Sequence, residues 1–172
     1  MKKAALILVV VLLILAGYIG YLFFFKTYDT ADQEVDQLAE GDYKLSLPQD
    51  TGSSSFSEEE IVEPYRKTYK ELIGEAESRI DGIVSEAEKE FVEKKQSGED
   101  ISYSYFFNKY TSAADRLEAS TDEAFEEIYK PMKTRLEEQG YESEAAEDLK
   151  REYQETKKGW RDSLMRSAKE SF

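Results

Sequence analysis

The chain has 172 residues and a net charge of −14, from 37 Asp and Glu against 23 Lys and Arg. It holds neither Cys nor His, which excludes disulfide stapling, Ser-His-Asp and Cys-His catalysis, and metal sites built on imidazole or thiolate. So acidic a surface also repels nucleic acid, whose binding needs cations on the phosphates.

Residues 4–25, AALILVVVLLILAGYIGYLFFF, are 22 consecutive uncharged residues. As a helix they span about 33 Å, enough to cross a hydrocarbon core of roughly 30 Å. Lys2 and Lys3 precede them and an acidic region follows. The stretch is therefore expected to be a signal-anchor in the lipid bilayer, with the N-terminus in the cytoplasm and the rest of the chain extracytoplasmic. A cleaved signal peptide is the competing reading. Its apolar core is shorter and ends at a small-x-small site, whereas position 14 is Ile.

Three segments follow from this reading. Residues 1–26 are the cytoplasmic stub and transmembrane anchor, 27–56 a juxtamembrane segment with a flexible linker, and 57–172 an extracytoplasmic domain. Within the second, 26–42 is expected to continue as a helix with Val35 and Leu38 on a thin apolar edge and Gly41 as its stop. Residues 43–48 alternate into Pro48 and read as extended, and 49–55 (QDTGSSS) read as a polar linker.

Ser57-Glu58-Glu59-Glu60 is a capping box, and Phe56 with Ile61 supplies the hydrophobic staple. From there Val62, Tyr65, Tyr69, Leu72, Ala76, Ile80, Ile83, Ala87 and Phe91 recur at steps of three and four, the mark of one helix face. Ser97-Gly98 closes that helix. A second helix is expected from about Ser102 to Gln139, with a stripe from Phe106 through Ala113, Leu117, Ala124 and Ile128 to Leu136. Pro131 inside it should kink or split it, and Gly140 should stop it. A third is expected from about Glu144 to Glu170, capped by Ser143, with Leu149, Tyr153 and Trp160 in its stripe. Recurrent eleven-residue spacings, such as Phe106, Leu117 and Ile128, suit straight helices.

The expected fold is thus all-α: an N-terminal transmembrane helix, then an elongated, antiparallel, coiled-coil-like three-helix bundle. Its first helix leaves the membrane and its second returns. The aromatic start of the second, with Phe91, Val92, Trp160, Leu164, Met165 and Phe172, would then form a core at the far end.

Tyr103 to Tyr110 is the densest aromatic stretch. One helix face cannot bury all its rings, so Tyr103, Tyr105 and Phe107 are the candidate partner surface beside the plainer reading of core. EIVEP (60–64) and EIYKP (127–131) look alike, but chance accounts for them in a Glu-rich chain. No EF-hand loop, Gly-rich phosphate loop or G-x-S-x-G occurs, and paired carboxylates carry no information among 37 acids. No catalytic residue, cofactor or metal is expected. The function expected is a protein-binding or scaffolding module of the cell envelope, engaging an envelope protein. A ligand-binding or sensory module would need a cavity lined by Tyr and Trp, and a structural protein would need self-association.

Overall fold

The computed structural model describes residues 31–48 and 55–171, and every regular element among them is an α-helix. These are α1 (Gln33–Glu40), α2 (Glu58–Ser97), α3 (Tyr103–Glu138) and α4 (Glu144–Ser171). The expected anchor at 4–25 lies outside the described residues, as does the linker at 49–54. No helix among the described residues is long and apolar enough to cross a membrane. Contacts divide the chain into two compact units whose boundaries fall inside α2 and α3.

Unit 2 comprises Asp42–Ser78 and Glu118–Phe172. The reciprocal capping bonds at the start of α2 form as the sequence demands: Ser57 N donates to Glu60 Oε2 (2.8 Å) and Glu60 N to Ser57 Oγ (3.3 Å). Ile61, Val62, Tyr65, Tyr69 and Leu72 of α2 then bury against Phe125, Ile128, Met132 and Leu136 of α3, and Ala146, Leu149 and Tyr153 of α4. Each fully buried Leu, Ile or Met side chain contributes roughly 1.5–3 kcal/mol. Phe56–Gln139 with Tyr69–Phe125, and Glu147–Tyr129 with Tyr153–Asp122, place α3 antiparallel to both neighbours, with the Phe125 and Tyr153 rings stacked at 4.1 Å.

Between α3 and α4, Gly140 takes φ 82°, and Tyr141 N donates to Leu136 O at 2.9 Å. This is a Schellman stop, whose left-handed residue suits glycine. Ser143 departs from its expected role: its hydroxyl donates to Glu137 Oε1 (3.2 Å), and only its carbonyl serves α4.

Residues 42–48 are not slack. Tyr43 and Leu45 pack against the core, the Tyr43 and Thr121 hydroxyls are bonded at 2.7 Å, and Thr68 Oγ1 donates to Ser46 O at 2.9 Å. Tyr43 and Leu45, two residues apart on one side of the extended run, give it enough to bury.

Unit 1 comprises residues up to Gly41 and Arg79–Leu117. The second part of α2 and the first part of α3 form an antiparallel hairpin, with Phe91 meeting Phe106 edge-on at 6.2 Å. Gly98 (φ 74°) turns the chain, and Glu99 N donates to Lys94 O. The third helix of this unit is α1, where the expectation had the last helix of the chain. Val35 and Ala39 are fully buried, and Leu38 lies over Gly82, where an added Cβ would stand 3.0 Å from its methyl carbons. Residues 32–41, inside the segment expected to be juxtamembrane, thus pack as part of unit 1.

One further expectation is narrowed and one changes. α3 is one continuous helix through Pro131, so of the kink and the split expected there the split does not occur. The fully buried Ile128 and Met132 flanking Pro131 hold the helix where the ring removes one backbone hydrogen bond. Trp160 does not join the Phe91–Phe106 rings; its indole Nε1 lies 3.4 Å from Glu77 Oε1 in unit 2. Between Tyr153 and Trp160 the α4 stripe holds only Thr156 and Gly159, which leaves that stretch little to bury. The side chains of Leu164, Met165 and Phe172 lie outside the described residues.

Candidate functional site

Two features of unit 1 go beyond ordinary packing: an aromatic pair on its surface and a charge cluster in its core. The start of α3 sets both. Ser102 caps it, accepting from Tyr105 N at 3.3 Å, and fixes the phase of every side chain that follows.

In that phase Tyr103 and Phe107, one turn apart, share a face and are 61% and 62% exposed. Tyr105 points elsewhere and is half-buried. Its ring meets Phe106 at 5.8 Å, nearly perpendicular, and takes the ammonium groups of Lys94 and Lys109 at 5.9 and 5.7 Å. Of the three candidate surface residues, two are therefore presented together and the third is committed to the fold. The ring cluster around Phe106 is half-buried, not a closed core: Phe91, Phe106 and Tyr110 all retain partial exposure. Val92 on the opposite arm of the hairpin is also exposed.

On the opposite, inward side of α3, Lys109 is almost fully buried with its ammonium 2.6 Å from Asp32 Oδ2 and 2.7 Å from Glu90 Oε2. Tyr110 donates to the same Glu90 oxygen at 2.8 Å. The bond from Lys109 holds the Asp32 carboxyl below its ordinary range. Burial alone would lower the Lys109 ammonium, but its bonds to Asp32 and Glu90 outweigh that and hold it above its ordinary range. Burial, then the bond to Glu90, raises the Tyr110 phenol. Three elements thus meet at one buried cation, and α1 is fixed through its own N-cap.

Further cations fasten α1 along its length. Arg116 reaches Asp36 at 2.6 Å and Glu40 at 2.7 Å, Lys89 reaches Glu34 at 3.5 Å, and Arg79 donates to Gly41 O. The direction follows: Asp32 lies beside Glu90 and Lys109, and Gly41 beside Arg79. α1 runs parallel to α3, away from the hairpin turn. None of these polar residues was a sequence candidate. One signal was available: Lys109, Ala113 and Leu117 are four apart, which places the lysine in the apolar stripe.

Unit 2 carries a more exposed ladder. Glu118 receives Lys157 and Arg161, and Asp122 receives Lys157 and the Tyr153 hydroxyl. Burial opposes ionisation of Glu118, but the bonds from Arg161 and Lys157 win and lower it. Two shallow, open concavities are lined by 142–151 residues and by 31–41 residues respectively, and neither is lined by Tyr or Trp. Among the described residues no group of three or more acids is placed to hold a metal ion. Comparison with known proteins gave no match to a family, to a curated sequence or to a solved structure.

Proposed function

We propose that this protein is a single-pass membrane scaffold: residues 4–25 anchor it, the N-terminus is cytoplasmic, and the helical units stand outside as a protein-binding module of the envelope. The observation that carries this reading is the attachment of α1. Asp32, seven positions beyond Phe25, is bonded into the core of unit 1 through Lys109. A chain so fastened holds its first unit close to whatever residues 4–25 are embedded in, as a scaffold requires and a slack tether does not provide.

The binding partner suggested by charge is a cationic protein. Residues 27–172 carry 20 basic against 37 acidic side chains, a potential that steers positive surfaces and repels anionic ones. The sensory alternative needs a cavity lined by Tyr and Trp and draws no support from the two open concavities.

The test is photocrosslinking of the full-length protein in its own membrane, from photoreactive groups at the exposed Glu71 and Glu155. One recurrent basic envelope protein supports the reading. Crosslinks only between copies replace it with self-assembly.

A further inference from the structure

We infer that the turn end of the unit 1 hairpin, with Tyr103 and Phe107 on its surface, seats in the interfacial layer of the bilayer that holds residues 4–25. The inference rests on the anchor reading above and names the partner of the aromatic pair.

The first ground is where the chain enters. Asp32 is bonded to Lys109 and α1 then runs away from the turn, so unit 1 receives its chain near the turn end. Phe25 is seven positions before Asp32, and seven residues reach at most about 24 Å. Ser102 is seven positions before Lys109, which as helix is about 10 Å. The turn therefore projects beyond Asp32 by less than the connecting chain can span, and it reaches the membrane face without strain.

The second ground is what that end displays. Tyr103 and Phe107 are more than half exposed on one face, and Val92 is exposed on the other arm. Rings with one apolar body, and in Tyr a polar tip, are enriched at the headgroup level, where burying them recovers the area they leave in water.

The third ground is charge. Residues 92–108 hold three acids (Glu93, Glu99, Asp100) and two lysines (Lys94, Lys95), a net −1, in a chain of net −14. Lys109 adds nothing to that surface, because it is buried and paired with Asp32 and Glu90. So small a charge leaves this end little repelled by headgroups. A second copy is the weaker occupant, because pairing would bring together two chains that each carry −14. On this inference the aromatic end, expected from the sequence to lie farthest from the membrane, lies against it.

The chain has no Cys, so single cysteines carry unique labels. Full-length Tyr103→Cys, Phe107→Cys, Glu63→Cys and Leu12→Cys are each spin-labelled in phosphatidylcholine nanodiscs. Collision with oxygen, which partitions into lipid, is compared with collision with an aqueous nickel chelate. The expected result is a loss of nickel contact and a gain of oxygen contact at 103 and 107 relative to Glu63, with Leu12 deepest. Labels at 103 and 107 that match Glu63 while Leu12 is deep overturn the inference and leave the anchor reading standing. A Leu12 label that also matches Glu63 overturns both. Labels at 103 and 107 shielded from both reagents, with spin–spin broadening, assign the face to a second copy and overturn the inference.

Discussion

Asp32 Oδ2 lies 2.6 Å from Lys109 Nζ, across 77 positions of chain, while Asp32 Oδ1 accepts from Glu34 N and Val35 N. One carboxylate both starts α1 and docks it. Lys109→Met should therefore be costly, because it leaves Asp32 and Glu90 facing each other at a part-buried site. Breaking a fully buried pair typically costs about 3–5 kcal/mol, and the partial exposure of both acids puts this loss below that range. Hydrogen exchange should show α1 and the 79–97 amides losing protection while the 58–78 amides keep theirs. The triple variant Lys109→Met, Asp32→Asn, Glu90→Gln should recover much of the loss.

The pH dependence of this attachment follows from two signs. Asp32 is lowered from an ordinary 3.8, so its contribution is complete above that value and is lost as pH falls below it. Lys109 is raised from 10.5, so its contribution is complete below that value and is lost only as pH rises beyond it. Glu90 and the raised Tyr110 phenol face the same ammonium from the hairpin. Exchange protection of Val35 and Ala39 should stay level from about pH 5 to 9 and fall in stronger acid. A midpoint near neutrality would show that another group controls α1.

Gly82 lies under Leu38, and an added Cβ would meet only the flexible end of that side chain. Gly82→Ala should be near neutral, since about 1 kcal/mol of helix propensity offsets a small shift of Leu38. Gly82→Phe should lever α1 off, at roughly 1–3 kcal/mol by the usual cost of overpacking. Exchange at Val35 is the readout, with Leu149 in unit 2 as the unaffected reference.

Much of this was legible in the chain. The capping box at Ser57, the stops at Gly98 and Gly140, and the buried faces of α2 and α3 follow from local rules of three- and four-residue spacing. The partner of α1 was not legible. Val35 and Leu38 mark an apolar edge, but periodicity says which face is apolar and not what covers it. Lys109 was passed over because a lysine in a stripe reads as an interruption until its two carboxylates are seen. That α3 runs on unsplit through Pro131 was not legible, because local propensity takes no account of the burial on either side of it. In the candidate surface, helical phase could separate Tyr105 from Tyr103 and Phe107, but only the packed hairpin decided which side faced out.

The local cap can be weighed alone. Ser57→Ala removes the hydroxyl bonded to Glu60 and should cost about 1 kcal/mol. Urea melts of the full-length protein in micelles should show the midpoint moving with the slope unchanged. A loss several times larger would mean that Ser57 has a role beyond starting α2.

α1 has eight residues, too short to persist alone in water. The cations that hold it lie on α2 and α3, the latest of them at Arg116. During synthesis the first described helix to leave the ribosome is therefore the last in its unit to form, and it waits until about 80 further residues have emerged. Over that interval Val35, Leu38 and Ala39 are uncovered, and any chaperone that attends this chain in its earliest life meets α1 as an unfolded apolar segment.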